Sequence, residues 1–272
     1  MKTTGTLLLT LLAFIAASCA DRQNTPVPPS GTASPVPVWT ASPSPSSPAA
    51  TPSPTPEPPA ASPSPTETPA PKWIQQLCSP LAEQALAEIP EIVSDPYNPP
   101  PPGRDERHHG VDFAYYRRKD RITNEGEIVQ AILPGRAAAV VKNQLPYGNM
   151  VILETEGSRL PPVLRADLGI RPGESLYHLY AHFGAAPLVV FGDEIACGQP
   201  LGAVGASGYN IVNPHLHLET RIGPAGMSFP AGLGFYTTAA SDDERENYLL
   251  WRTSGVFRHF DPMRLILFYL GE

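Results

Sequence analysis

A proline-rich stretch near the amino terminus limits how much of this chain can fold. Residues 26–71 hold 17 of the 35 prolines among 272 residues, mixed with Ser, Thr and Ala and with only two charged side chains, Glu57 and Glu67. Such a segment has few large apolar side chains to bury, so it cannot offset the entropy lost on ordering its backbone. The sequence therefore predicts a disordered, extended tether over 19–71, and one domain of about 200 residues after it.

The first 18 residues predict export from the cytoplasm. Lys2 precedes an apolar run over 7–17, which is too short for a bilayer span of about 20 residues but is typical of a signal peptide. The sequence Ala16-Ala17-Ser18-Cys19 is similar to the lipobox of bacterial lipoproteins, which implies cleavage before Cys19 and its lipidation. We expect a protein of the cell envelope, held outside the cytoplasm on a membrane by that lipid. The alternative, an ordinary signal peptide with an incidental cysteine, predicts a secreted protein.

The net charge bears on binding partners, and the cysteine content bears on disulfide formation. The formal net charge of −7 argues against nucleic acid as a partner. With Cys19 assigned to lipid, Cys78 and Cys197 are left. In an exported domain they predict either one disulfide or two separate buried thiols.

The pattern of short apolar runs in the part predicted to fold indicates a mainly β domain. In the lead-in over 72–103, Ser79-Pro80 indicates the start of a short helix that Pro90 ends. Beyond it no helical pattern of ten residues separates the apolar runs, so an antiparallel sheet is favoured over a parallel one. Strands are predicted at 128–133, 137–142, 150–154, 176–181, 188–191 and 215–221.

Histidines are the side chains whose placement points to chemistry. His215 and His217 alternate with leucines and should share one face of a strand. His108 and Asp112 stand four residues apart around Gly110, and imidazole and carboxylate groups are the usual ligands of catalytic zinc. His178, Tyr180 and His182 are predicted to share another strand face. The glycine cluster over 202–208 predicts a tight turn, since neither a helical pattern nor a lysine follows to make it a phosphate-binding loop.

Taken in order, these motifs resemble the lysostaphin-type (LytM-like) zinc metalloendopeptidases. The resemblance covers roughly residues 103–221 and is supported by Tyr147-Gly148-Asn149 and, near the end, by Asp261-Pro262. It implies a β-sandwich-like metallopeptidase domain of the duplicated hybrid motif type over 104–272. The matching motifs are His108-x-Gly110-x-Asp112, Tyr180-Ala181-His182, Gly192-Asp193 with the glycines at 198, 202, 205 and 208, and His215-Leu216-His217.

The family resemblance also implies a site and an activity. One Zn²⁺ would be held by His108, Asp112 and His217, with His182 and His215 as the catalytic histidines. The implied function is that of a monomeric endopeptidase cutting peptide stems or cross-bridges of bacterial peptidoglycan. Two alternatives are a secreted protease acting on glycine-rich proteins and a non-catalytic envelope module that regulates another wall hydrolase.

Other residues fall outside the family pattern. His109, His178 and His259 have no counterpart in it, and for His109 and His178 we expect structural roles. Two segments, 155–174 and 220–260, are longer than the family pattern and are expected to be insertions. The second either walls the substrate groove, with Tyr236, Tyr248 and Trp251 as contacts, or packs a small helix over 247–251 onto the sheet.

Overall fold

The structure, a computed structural model, describes residues 73–271. The signal peptide expected over 1–18 and the tether expected over 19–71 lie outside the described residues. Within 73–271, no helix is both long enough and apolar enough to cross a membrane.

The core of the fold is one antiparallel sheet, as the sequence predicts. Seven strands follow one another in the order β1-β2-β11-β8-β7-β6-β9, and β12 pairs with β11 as an eighth. Two smaller two-stranded sheets, β10-β5 and β3-β4, complete the β structure of the described residues. The strands are β1 Val93–Asp95, β2 Val111–Phe113, β3 Tyr116–Arg118, β4 Arg121–Thr123, β5 Ile128–Gln130, β6 Gly135–Gln144, β7 Gly148–Glu156, β8 Glu174–Phe183, β9 Glu194–Ile195, β10 Pro200–Ala203, β11 Leu216–Pro224 and β12 Arg258–Phe260.

The central strands are long because both of their faces are covered. Residues 175–183 of β8 and 216–223 of β11 are buried almost without interruption. On one face lies a core that takes Leu216 and Leu218 from β11 and is closed by side chains such as Val129 and Leu201 of the β5-β10 pair. On the other face lies a second core built around Trp251, Phe229 and Phe257. A sheet buried on both sides explains the near-continuous apolar runs in the sequence.

Two sequence predictions need correction. The run over 188–191 forms no strand: Leu188, Val190 and Phe191 are exposed on a loop, and the Asp193 carboxylate accepts a hydrogen bond from the backbone N–H of Val190. The helix expected to start at Ser79-Pro80 is instead a 3₁₀ helix over Leu86–Ile92 with Pro90 inside it. The backbone of residues 78–82 cannot start a helix because it bonds to residues 128–132, with Leu81 bridged to Val129.

The two segments expected to be insertions contain both described α-helices that precede the carboxyl-terminal one. Segment 155–174 forms a 3₁₀ turn over Gly157–Arg159 and helix α1 over Pro162–Leu168. Segment 220–260 contains helix α2 over Asp242–Arg252, which begins with a capping box between Ser241 and Glu244. Asp261-Pro262 lies between β12 and helix α3 over Met263–Leu270, a helix that the sequence analysis does not predict.

The lead-in segment is fastened to the rest of the domain. Cys78 and Cys197 form a disulfide with an S–S distance of 2.04 Å, so the first of the two alternatives for these cysteines is correct. Basic side chains of the β3-β4 hairpin also pair with this segment: Arg118 and Lys119 pair with Glu88, and Arg121 pairs with Glu83.

Candidate metal centre

Three electron-pair donors converge at one end of the sheet. Asp112 on β2 and His217 on β11 are register partners, and His108 lies just before β2. The Asp112 Oδ1 atom is 3.0 Å from His108 Nε2 and 2.7 Å from His217 Nδ1, and the two imidazole nitrogens are 3.0 Å apart. Among the described residues this is the one group of three or more such side chains close enough to hold a metal ion. The structure thus brings together the three ligands that the sequence analysis names.

The outer nitrogen of each imidazole is occupied by an acceptor. His108 Nδ1 lies 3.0 Å from the Pro96 carbonyl oxygen, and His217 Nε2 lies 3.2 Å from the buried Glu219 carboxylate. Because a carbonyl or carboxylate oxygen can only accept, these nitrogens carry the protons of the neutral rings. When both rings are neutral, the inner nitrogens present lone pairs to each other and to Asp112. Three such donors repel one another unless a cation lies among them, so the residues fit a metal ion.

The local electrostatics also favour positive charge at this point. When the inner nitrogens are protonated instead, they donate to Asp112: burial would raise the pKa of Asp112, but these hydrogen bonds from His108 and His217 outweigh it and hold that pKa well below its usual range. Burial would lower the pKa of His217, yet the carboxylates of Asp112 and Glu219 raise it to about 9. The site therefore stabilises a cation in the place where a divalent metal would bind.

The two histidines predicted to be catalytic flank the three donors. The rings of His182 and His215 are 4.9 Å apart between centroids, and the ring of His182 is 5.5 Å from that of His217. His182 donates from Nδ1 to the Ser207 carbonyl and His215 from Nδ1 to the Asn213 carbonyl. His215 Nε2 lies 3.5 Å from Asp112 Oδ2, and both rings line the cavity above the three residues. Burial, helped by His217 and His215, lowers the pKa of His182 to about 3, so its ring is neutral near pH 7.

His182 reaches this position through an irregular backbone. It has a φ of +66°, in the left-handed region that few non-glycine residues adopt. Tyr180 and Phe183 both face the first core, so the simple alternation of the strand is interrupted between them. The prediction that His178, Tyr180 and His182 share one face is therefore wrong for His182. It holds for the other two, because His178 Nδ1 lies 2.8 Å from the Tyr180 hydroxyl.

The glycine cluster that follows β10 serves the same site. A Cβ at Gly208, whose φ is +118°, would lie 2.5 Å from the Pro146 carbonyl oxygen and 2.9 Å from His182 Nδ1. A Cβ at Gly205 would lie 2.2 Å from Gly184 Cα. These glycines allow the loop to pass across His182 and to present the Ser207 carbonyl to it, which agrees with the predicted turn.

The second insertion forms one wall of the cavity above the donors. This cavity has a volume of about 290 Å³. The insertion contributes Tyr236, Tyr248 and Arg252 to it, while Tyr209 and Ile211 come from the loop before His215. Trp251 is instead fully buried in the second core. The expected small helix therefore packs onto the sheet. Trp251 does not line the cavity, whereas Tyr236 and Tyr248 do; that this cavity is a substrate groove stays a prediction.

Two of the remaining histidines have buried structural roles. His178 bridges the Tyr180 hydroxyl and, through Nε2 at 2.9 Å, the Thr155 hydroxyl. His109 is fully buried and accepts a hydrogen bond at Nδ1 from Arg221 Nη2 at 2.9 Å. His259 on β12 lies 2.6 Å from the Tyr97 hydroxyl through Nδ1.

Sequence reasoning missed the charged residues behind the donors. Glu219 and Arg221 are both fully buried and pair at 2.7 Å, and Arg252 pairs with Glu219 and Asp105. One signal in the sequence could have revealed the first two. Glu219 and Arg221 stand two and four residues after His217, on the strand face that carries that histidine, and opposite charges two residues apart on one strand face can pair when they are buried.

A larger cavity, of about 400 Å³, lies at the opposite end of the sheet. Arg136, Glu154 and Glu174 are among its lining residues. Arg136 pairs with Glu154 at 2.8 Å, and Glu174 pairs with Arg258. The carboxylates of Glu154 and Glu174 are thus already neutralised by arginines.

Comparison with known proteins gives structural neighbours but no sequence relatives. No protein-family model and no curated protein matches the chain. The lysostaphin catalytic domain from Staphylococcus simulans is 20% identical, with a TM-score of 0.38 over 68% of this chain and 98% of that chain. A variant of the catalytic domain of the M23 protein EnpA from Enterococcus faecalis is 22% identical, with a TM-score of 0.36 over 50% of this chain and 85% of that one. A zinc-containing peptidase from Vibrio cholerae is 22% identical, with a TM-score of 0.32 over 47% of this chain and 32% of that one. The solved structures that this chain is similar to thus include M23 and lysostaphin peptidases, at low sequence identity.

Proposed function

We propose that this chain is a zinc-dependent endopeptidase that hydrolyses peptide bonds in bacterial peptidoglycan, in its stems or cross-bridges. The observation that carries the proposal is the convergence of His108 Nε2, Asp112 Oδ1 and His217 Nδ1 within 3.0 Å of one another, with His182 and His215 beside them. All five residues come from the motifs by which the sequence resembles lysostaphin-type peptidases. One zinc ion per domain fits this donor set.

Different residues of the chain would bind the metal and transfer protons during amide hydrolysis. Zinc bound by the three donors would polarise the scissile carbonyl and lower the pKa of a coordinated water. The rings of His182 and His215 line the same cavity. Between them they are placed to move a proton to the leaving amine and to donate a hydrogen bond to the developing oxyanion. Backbone carbonyls at Ser207 and Asn213 hold both rings in the orientation that this requires.

The substrate class rests on the family resemblance and on the predicted export. The cavity above the donors is shallow and lined by Tyr209 and Tyr236, which are both exposed. A site open to the surface can receive a segment of a long polymer, whereas a deep pocket would exclude it. Residues 99–104 are not among those lining the cavity, so this part of the lead-in does not cover the site.

The proposed location of the enzyme is based on its amino-terminal sequence. We propose a lipid anchor at Cys19 and a tether over 19–71 that carries the catalytic domain, as a monomer, away from the membrane. A proline-rich chain extends by about 3.1 Å per residue, so the segment over 26–71 could span on the order of 100 Å. That reach suits a substrate that is a fixed polymer.

The proposal is tested by incubating the purified protein with peptidoglycan and analysing the released peptides by mass spectrometry. Hydrolysis should stop on chelation and return on adding zinc. His217→Ala should lose both the metal and the activity. His182→Ala and His215→Ala should keep the metal and lose about 10²- to 10⁴-fold in rate, the usual contribution of a general acid or base.

The alternatives give different results in the same experiment. Cleavage of glycine-rich proteins without release of wall peptides would indicate a secreted protease. Wild-type protein that hydrolyses neither substrate, yet stimulates a separate wall hydrolase even after His217→Ala, would show a regulatory module and contradict the proposal.

A further inference from the structure

An arginine at the end of α2 contacts the residues that flank two of the three metal donors. Arg252 Nε donates to Asp105 Oδ1 at 2.6 Å, and its Nη2 donates to the Asp105 carbonyl at 2.9 Å. Arg252 Nη1 donates to Glu219 Oε1 at 3.2 Å. Asp105 lies three residues before His108, and Glu219 lies two residues after His217. One side chain from the insertion thus connects the two segments that carry the histidine donors.

On the β11 side, the link runs through Glu219. This carboxylate is fully buried, and its Oε1 atom accepts from His217 Nε2 as well as from Arg252. The same atom accepts from the Tyr147 hydroxyl at 2.6 Å, while Oε2 accepts from Arg221 and Trp251. The position of Glu219 decides how the His217 ring is turned. That rotation in turn decides whether Nδ1 points at the other donors.

On the other side, the link runs through Asp105. Its carboxylate also accepts from the hydroxyls of Tyr236 at 2.8 Å and Tyr248 at 2.7 Å. All three groups that bind it therefore come from the insertion. Only Glu106 and Arg107 separate Asp105 from His108, so anchoring Asp105 restricts where the His108 backbone can lie.

The geometry requires an arginine. The guanidinium group is planar and offers its N–H donors in fixed directions, so it can bind two carboxylates and a carbonyl at once. A lysine would bring the same charge as a single point on a flexible stem. The Arg252 side chain is only 10% exposed, and the two negative charges on either side of it compensate its burial.

We propose that Arg252 is a positioning residue for the metal centre. Through Asp105 and Glu219 it holds the His108 and His217 segments in a fixed position relative to each other. The insertion is then part of the metal site, although it supplies no donor to the metal. This inference rests on the proposed metal site. It does not depend on which bond the enzyme cuts.

The test compares zinc affinity between two arginines of the same helix. Arg252→Lys keeps the positive charge but loses the N–H donors that point in fixed directions. The zinc dissociation constant should therefore rise about 10- to 100-fold, as is usual when a group behind a metal ligand is removed. Arg245→Lys is the matched control, because Arg245 donates only to the backbone carbonyls of Thr237 and Ala240. Affinity is measured on purified protein by competition with a chromophoric chelator. The absorption spectrum of the Co²⁺-loaded protein should change in Arg252→Lys and not in Arg245→Lys.

Thermal unfolding of the metal-free proteins separates positioning from general stability. If Arg252→Lys does not fold, Asp105→Asn replaces it, since Asp105 is partly exposed and only one side of the link is weakened. Asp105→Asn should also raise the zinc dissociation constant. The proposal is overturned if the folded variants bind zinc as tightly as wild type, or if Arg245→Lys weakens binding equally. If folded wild-type protein binds no zinc, the proposed function itself fails and this inference fails with it.

Discussion

Gly110 shows how strictly a single position is constrained at the metal centre. It lies between His108 and Asp112, where a Cβ would be 2.4 Å from the Leu218 carbonyl oxygen and 2.9 Å from His217 Cε1. The glycine of the His-x-Gly-x-Asp motif is therefore required, because the β11 backbone and the His217 ring pack directly against the backbone of residue 110.

Replacing this glycine should damage both stability and metal binding. We expect Gly110→Ala to lower the free energy of unfolding by about 2 kcal/mol, since overpacking costs roughly 1–3 kcal/mol, and to weaken zinc binding because the His217 ring must move. Urea unfolding of the metal-free protein and a zinc titration measure the two effects. Gly184→Ala is the control, because a Cβ there would meet only ordinary contacts at 3.5 Å. Equal behaviour of the two variants would contradict this explanation.

His178 should make the fold sensitive to acid. Burial lowers its pKa from 6.5 to about 3. Below pH 6.5 the unfolded chain therefore binds a proton at this residue that the folded chain does not. The stabilisation by neutral His178 is complete above pH 6.5 and declines as the pH falls toward 3, by up to about 1.4 kcal/mol per pH unit.

The variant His178→Gln isolates this contribution from that of the other buried histidines. Glutamine does not titrate, so the free energy of unfolding of the metal-free variant should fall less steeply between pH 6 and pH 4 than that of wild type. Urea unfolding at a series of pH values gives the two slopes. Parallel slopes would show that His178 is not the residue responsible.

At the scale of elements, α2 is attached to the second core through a buried tryptophan. Trp251 is fully buried and packs against Phe229 and Phe257, with ring centroids 5.8 Å and 5.3 Å away. Its indole N–H also donates to Glu219 at 2.9 Å. The helix therefore closes the second core and supports the carboxylate behind His217.

Truncating this side chain should be costly. Trp251→Ala is expected to lower the free energy of unfolding by about 3–5 kcal/mol, the usual cost of removing a buried large aromatic side chain. Leu249→Ala, on the same helix but 44% exposed, should change it by no more than about 0.5 kcal/mol. Chemical unfolding of both variants checks the contrast. A small effect of Trp251→Ala would mean that the helix is only loosely attached.

The sequence predicts elements and site residues where the relevant interactions are local, and fails where they are distant. Strand alternation places Leu216 and Leu218 on one face, where both lie in the first core, and the closely spaced His108 and Asp112 lie 3.0 Å apart. The helix expected near Ser79 fails because its backbone pairs with residues some fifty positions away. The link from Asp105 to Arg252 escapes prediction for the same reason, since 147 positions separate the two residues.

At the scale of the whole described chain, the lead-in and the candidate metal centre are parts of one folded unit. The Cys78–Cys197 disulfide fixes the beginning of the lead-in, and Asn98 pairs with His108 through two backbone hydrogen bonds. The Pro96 carbonyl holds His108 Nδ1. A fragment that started at residue 104, where the resemblance to the peptidase family begins, would lose these contacts. For the folded domain to keep these contacts, purified protein should therefore begin at residue 72 or earlier.

The role proposed for residues 26–71 is reach, and it can be separated from catalysis. If the substrate is a fixed polymer and Cys19 is anchored in a membrane, a shorter tether lets fewer peptide bonds come within range of His217 and the other donors. Shortening 26–71 should therefore lower wall cleavage in cells in proportion to the length removed, while purified protein cleaves soluble peptidoglycan fragments at an unchanged rate. Released peptides are counted by mass spectrometry in both settings.

A second replacement distinguishes reach from sequence. Exchanging 26–71 for a Gly/Ser linker of equal length gives a more flexible chain whose mean end-to-end distance is shorter than that of a proline-rich one, because it grows only with the square root of its length. Cleavage in cells should then fall between that of wild type and that of the shortened variant. Full cleavage with a strongly shortened tether would show that distance from the membrane does not limit the enzyme, and the segment would then need another explanation.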